Sequence, residues 1–564
     1  MAITKIAAGC AHALGLTLVL AALAGCGERQ VDAAGATPSP SAGQVAPASA
    51  APKVSFYAAS RFAEQASFGP TPALVAELQA KGFEKWIDEQ FALPATPLDM
   101  RFIDWNLGGD QPNVYTLFAG EVQRAFISAP DQLRWRVTWS LAQFIVVSSQ
   151  RLDPAGVGEW ANDLHRMALG NYGALLRGVT LSSPMGFYLD NDQNSAKSAS
   201  CPHCVPNENY ARELMQLFSL GVWALNADGT PKRDVRGQFV ETYSQVDVEE
   251  LARVLTGWRH DTVRVPDTPR NWGSWSRPMV PSGHAPDRDV GRKQVLGRTF
   301  PAGQTIYQDL DDLVAMLMGH PNIAPFVSLR LIQHLVKSDP SPAYLLRIGA
   351  VFRDNGRGVA GDLKAVVKAI LLDPEARRGD DTSRALPGDG KLREPMLQRT
   401  GLLRGLGCRT VPLQHWNGQP WQLGTQEPFS PLSVFSFYAP TDRAPGSNLL
   451  APEQTLLHSR TLRERLGELD YLSFVGFDNP VPQALVDAGC SINEFVAAYR
   501  LSTAELMALI GRRFLRGTNP QHLSQMAEQL ARAWRQTNHM RLPERQALRL
   551  LEFTLLSEAY GAMP

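Results

Sequence analysis

Carboxylates, amides and one arginine crowd a short stretch of this chain: Asp190, Asn191, Asn194, Glu208, Asn209, Arg212 and Glu213. Glu208 and Arg212 stand four apart, as do Asn209 and Glu213, so a helix would set each pair on one face. Tyr210, Leu214 and Leu217 share a second, apolar face, and Asn207 is placed to cap the start. The spacing predicts a helix over 206–221 with a polar edge beside an apolar one. Asp190, Glu208 and Glu213 offer the oxygen chemistry of a hard divalent cation such as calcium, or of proton exchange. Asn191, Asn194 and Asn209 would orient a ligand. Asp247, at the head of the next helical segment, completes the catalytic candidates. The competing reading is a buried polar network that pins helix to loop, because buried polar groups need partners whatever their role.

A smaller group, His284, Asp287 and Asp289, has metal or acid–base potential but sits in a polar loop. Gly356-x-Gly358-x-x-Gly361 matches the dinucleotide fingerprint as a string, yet a helix rather than a strand precedes it and Asp362 caps the next helix. We read a glycine-rich turn and expect no nucleotide. Trp272, Trp275, Trp416 and Trp421 lie among Gly, Asn, Ser and Pro and are read as loop anchors. The chain lacks G-x-S-x-G, H-E-x-x-H and a Walker loop, which disfavours α/β-hydrolases, zincins and P-loop enzymes.

The elements that must position these residues are mostly helices. Thr71-Pro72, Ser244 with Asp247, Ser341-Pro342 and Ser502 with Glu505 are helix starts, and Gly82, Gly257 and Asn355-Gly356 are stops. Residues 133–148 are almost continuously apolar and read as a buried helix, with a buried strand as the alternative. Two stretches, 262–304 and 378–425, are rich in Gly, Pro, Asp and Arg and read as long irregular loops. The expected fold is mainly α: a large multi-helix globular body, 54–564, with long loops and little β-structure.

Residues 1–26 stand apart from that body. Lys5, the apolar run 13–23 and Leu23-Ala24-Gly25-Cys26 have the form of a lipoprotein signal peptide, with Cys26 as the lipidated residue. Gly27 after the cysteine points to the outer membrane, with the body in the periplasm or at the cell surface. Acyl chains, at about 0.8 kcal/mol per buried CH₂, make the membrane a partner through the anchor. Residues 27–53 are rich in Ala, Pro, Ser and Gly and read as a disordered tether. Cys201, Cys204, Cys408 and Cys490 remain in the body, an even set suited to disulfides with three connectivities open. The 55 basic and 55 acidic residues balance, which argues against nucleic acid as a partner.

Several strings in order resemble the bacterial family DUF1800. They are residues 207–214 (N-E-N-Y-A-R-E-L), 247–253 (D-V-E-E-L-A-R), Thr256-Gly257-Trp258, His320-Pro321-Asn322, 361–364 (G-D-L-K), 391–395 (K-L-R-E-P) and Ser433-Val434-Phe435. The resemblance implies an exported, largely helical protein and names no reaction; it also implies an exported phosphatase-like partner. Two departures stand out: Cys201–Cys204 looks like an insertion, and Arg288 occupies the place of a histidine in His-Asp-x-Gly-x-Lys, leaving His284 upstream as its stand-in. Two functions are therefore expected. One is a lipid-anchored envelope protein assisting assembly, export or retention of an extracytoplasmic partner or polymer. The other is a carboxylate- or metal-dependent hydrolase or transferase acting on an envelope polymer.

Overall fold

Several helices begin where the sequence caps them. Thr71 Oγ1 accepts from Leu74 N–H at the head of Pro72–Lys81, and Gly82 ends that helix at φ 81°. Ser244 and Asp247 form a reciprocal capping box at Gln245–Val254. Ser341 caps Pro342–Arg353, and Ser502 accepts from Glu505 N–H at Thr503–Phe514. In each case a side-chain oxygen takes one of the orphan first-turn amides. The computed structural model describes residues 53–100, 114–261, 275–411, 426–473, 483–536 and 542–564. Cys26, the leader and nearly all of the tether, together with Trp272, Trp416 and Trp421, lie outside the described residues.

The fold is mainly α, with three two-stranded antiparallel sheets among the described residues. The main core draws on helices from Phe56–Ala66 through Pro374–Arg378. Gln132–Ala142 and Ile323–Leu335 run through it, and all but one residue of each is buried. A second core gathers the helices from Asn493–Leu501 to Pro543–Leu555 around one face of Pro395–Gly405. The chain end then returns: Ala562–Met563 pairs with Lys391–Leu392. Gly390, at φ 80°, permits that approach, since a Cβ there would sit 2.0 Å from Met563 O. No helix among the described residues is long and apolar enough to cross a membrane.

Three expectations change. The helix predicted over 206–221 spans only Asn209–Gln216. Ser219 Oγ donates to Leu214 O at 2.5 Å, and Gly221, at φ 77°, donates its N–H to Met215 O, so the turn unwinds early. The apolar run after 133 is helical to Ala142 and then continues as buried non-helical chain to Val147. Residues 378–425 are not simply a loop. They contain Pro395–Gly405, in which every residue is buried, so no amphipathic period marks it in the sequence.

Candidate functional site

The polar edge is largely closed. The Asp190 carboxylate accepts from Arg151 Nη2 and Asn209 Nδ2, both at 3.0 Å. Glu208 Oε2 accepts from Arg212 Nη2 and Gln245 Nε2, both at 2.8 Å. Asp247 Oδ2 accepts from the Ser244 backbone and hydroxyl, and Oδ1 from Leu296 N–H at 2.7 Å. Burial pushes the Asp247 carboxyl up, but these bonds hold it below its ordinary value. It is a helix cap that also ties the Lys293–Phe300 hairpin to the body. Asn194 is structural as well: Oδ1 accepts from Asn207 N–H at 2.8 Å and Nδ2 donates to Ala252 O at 3.2 Å.

Two side chains at this edge are different. Glu213 is 7% exposed and its Oε2 has no hydrogen-bond partner. Burial outweighs the nearby Arg212 and pushes the carboxyl up to about 7. Its charge reaches Tyr188 and Tyr243, whose phenols are raised mainly by their own burial. Asn191 is 1% exposed, and neither atom of its amide has a partner. Asp190 and Gln193, at φ 58° and 62°, hold the loop around Asn191 in a left-handed conformation that non-glycine residues adopt at a cost.

The loop group separates into two. His284 Nδ1 meets Asp287 Oδ1 at 2.9 Å, whereas Asp289 is bound to Arg253 Nε and Gly291 N–H, both at 2.8 Å. Asp289 therefore braces Arg253 and does not join His284. Among the described residues no three His, Cys, Asp or Glu side chains gather as a metal site. At the glycine turn, Asp354 Oδ1 already accepts the Gly356 and Gly358 N–H groups, each at 2.8 Å, that a phosphate would need. Trp275 packs edge-on to Phe187, an anchoring contact. The cysteines pair as Cys201–Cys204 and Cys408–Cys490.

Sequence reasoning passed over a buried ionic centre. Glu394, 2% exposed, accepts from Lys391 Nζ and Gln426 Nε2, both at 2.7 Å. Burial alone would raise this carboxyl, but Lys391 and His334 pull it to about 2. Burial in turn drives the His334 imidazole down to about 3, and Tyr438 Oη approaches its Nδ1 at 3.4 Å. Beside it, Glu64 Oε1 accepts from Arg393 and Arg516 at 2.5 and 3.1 Å, tying Phe56–Ala66 to the C-terminal segment. The only signal in the sequence was the string Lys391-Leu392-Arg393-Glu394-Pro395. Asp192 with His260 was also missed, because nothing in the spacing links those positions.

The family described as "Protein of unknown function (DUF1800)" matches residues 61–560, nearly the whole chain. The chain belongs to the DUF1800 family. No curated protein and no solved structure matches it. In this DUF1800 member the residue standing in the place of the expected histidine, Arg288, donates to Asp309 Oδ2 at 2.7 Å, and Lys293 donates to the same oxygen at 3.0 Å. Asp309 is fully buried, so Arg288 serves an internal ion pair. His284 stays exposed on its own turn and does not take the place over.

Proposed function

We propose that this chain is a lipid-anchored envelope protein that assists assembly, export or retention of an extracytoplasmic partner or polymer. One observation carries the reading: three of the four carboxylates at the motif edge are committed to protein partners. Asp190 is bound by Arg151 and Asn209, Glu208 by Arg212 and Gln245, and Asp247 by its cap and Leu296. Groups so engaged shape a surface rather than exchange protons with a substrate. The Leu23-Ala24-Gly25-Cys26 leader supports placement at the outer membrane, and the family resemblance supports an exported phosphatase-like protein as the partner.

A second reading rests on Glu213 alone. A buried carboxyl raised to about 7 suits a general acid or base, as a hydrolase or transferase acting on an envelope polymer would need. The two readings part in one experiment. The full chain, its Glu208→Gln variant and its Glu213→Gln variant are expressed in the native envelope, crosslinked and recovered, and the knockout phenotype is scored for each. We expect both variants to restore the phenotype and to retain the same crosslinked partner. A folded Glu213→Gln chain that keeps the partner but not the phenotype would favour chemistry. A Cys26→Ser chain that still fractionates with the outer membrane would remove the anchor.

A further inference from the structure

Outside the motif edge, three segments are stitched around a cleft of about 430 Å³. Gln193 N–H donates to Trp258 O, Gly257 N–H to Asn194 O, Ser282 N–H to Gly257 O and Ala196 N–H to Asp287 O, at 2.9, 2.8, 2.7 and 2.8 Å respectively. The short strand Trp258–Arg259 also pairs with Val280–Pro281. These bonds hold Arg259, His260, Ser195, Ser282 and Asp287 around one space.

The polar groups there divide into engaged and free. Asp287 is engaged: Oδ2 accepts from the Ser282 hydroxyl at 2.5 Å and Oδ1 meets His284 Nδ1. Asp192 is engaged too, since its two oxygens take the His260 backbone N–H and Nδ1, both at 2.8 Å. A carboxylate only accepts, so Nδ1 carries the proton and the Nε2 edge of His260 is left for the cleft. The Arg259 side chain has no hydrogen bond or ion pair with any described residue, although its charge helps to hold the Asp287 carboxyl below its ordinary value, after the Ser282 and His284 bonds. Its Nη2 reaches over the 282–287 turn, 3.9 Å from where a Cβ on Gly283 would lie. The contrast with the buried pair His165–Asp131 is informative: there Asp131 takes one ring nitrogen at 2.9 Å and Thr138 meets the other at 3.1 Å, so nothing is left over.

The loop that supplies Asp192 is costly. It carries two left-handed non-glycine residues, Asp190 and Gln193, and the unpartnered amide of Asn191. Such a conformation persists where surrounding contacts over-determine it, and here they fix Asp192 against His260.

We propose that this cleft binds an anionic group, a carboxylate or phosphate carried by an envelope polymer, through the Arg259 guanidinium, with the Nε2 of His260 taking a neighbouring hydroxyl of the same polymer. A guanidinium presents a planar fork of donors that matches either group, and the Nε2 of His260, with its Nδ1–H held by Asp192, accepts from a hydroxyl next to that group. The concave shape suits one group of a chain rather than a flat lipid surface. The inference deepens the binding reading above by naming the chemistry of what is held, and rests on that reading for the source of the ligand.

The test is calorimetric titration of the full chain with D-glucuronate and with inorganic phosphate, with glucose as the neutral control. Vesicles of phosphatidylglycerol or phosphatidylcholine form a separate arm. We expect at least one of the two anions to bind, glucose not to, and Arg259→Gln to weaken binding about tenfold or more. His260→Gln should weaken it several-fold, and Arg236→Gln, on a remote exposed turn, should leave it unchanged. The Arg259 side chain is exposed and bonded to no described residue, so its replacement tests binding without disturbing the core. The proposal is overturned if neither anion binds, if glucose competes equally, if Arg259→Gln binds as the parent does, or if only phosphatidylglycerol vesicles bind. Loss of anion binding with retention of the crosslinked partner would overturn this site and leave the assembly role standing.

Discussion

Replacing Glu213 with glutamine should flatten part of the pH dependence of stability. The carboxyl titrates near the ordinary 4.5 in the unfolded chain and at about 7 in the folded one, because burial disfavours the charged form. Below 4.5 both states are protonated and the group contributes no pH dependence. As pH rises the unfolded chain ionises first, so stability is lost through this window and the loss is complete above about 7. At about 1.4 kcal/mol per pH unit, the gap costs the parent about 3 kcal/mol. Glutamine does not titrate and escapes that loss. Its buried amide has its own cost, but that cost is the same at every pH and cancels when differences between two pH values are compared. Asp163 is also raised by burial, to about 6, and titrates in the same window. It is present in both chains and cancels as well. The assay is denaturant unfolding of parent and variant at about pH 4.5 and about pH 8. The parent should lose about 3 kcal/mol more than the variant between the two. Parallel losses would refute the reasoning, since they would mean that Glu213 ionises freely in the folded chain.

Other perturbations probe the scaffold. Glu394→Gln strands the Lys391 ammonium in the interior, and breaking a buried pair in this way should cost about 3–5 kcal/mol in unfolding free energy. The Glu394 carboxyl is held at about 2 against 4.5, so the stability it contributes is full above 4.5 and lost as pH falls toward about 2; acid unfolding of the variant should lack that limb. Cys408 and Cys490 lie 82 residues apart and Cys201 and Cys204 only 3. Loop entropy therefore predicts a loss of about 4.5 kcal/mol on removing the first bridge and about 2 kcal/mol on removing the second, measured as separate double-serine variants. Gly390→Ala should lower the melting temperature and release the chain end to carboxypeptidase, because its Cβ would collide with Met563 O; an unchanged melting temperature would show that the end strand yields freely.

Part of the site is legible in the linear order of residues, and the legible part is local. The Glu208–Arg212 pair, the Ser244–Asp247 cap and the Asp362 cap each join residues within one helical turn, so spacing alone encodes them. The mainly helical fold and the DUF1800 membership were legible for the same reason, since caps and short strings survive in linear order. The extent of the helix at Asn209–Gln216 was not, because Gly221 and Ser219 end it through contacts that a periodic apolar face conceals.

Partners far apart in the chain were decided by tertiary structure alone. Asp190 meets Arg151 across 39 residues, Gln245 meets Glu208 across 37, and Asp192 meets His260 across 68. Burial was equally hidden. Glu208 and Glu213 are the same residue type five positions apart in one motif, yet one is partly exposed and paired while the other is enclosed with its Oε2 unpartnered. The sequence by itself determined which residues are polar and where the side-chain-capped helices start. Only the packing of distant segments determined which of them lose their water, and desolvation sets the charge state that any chemistry here would use.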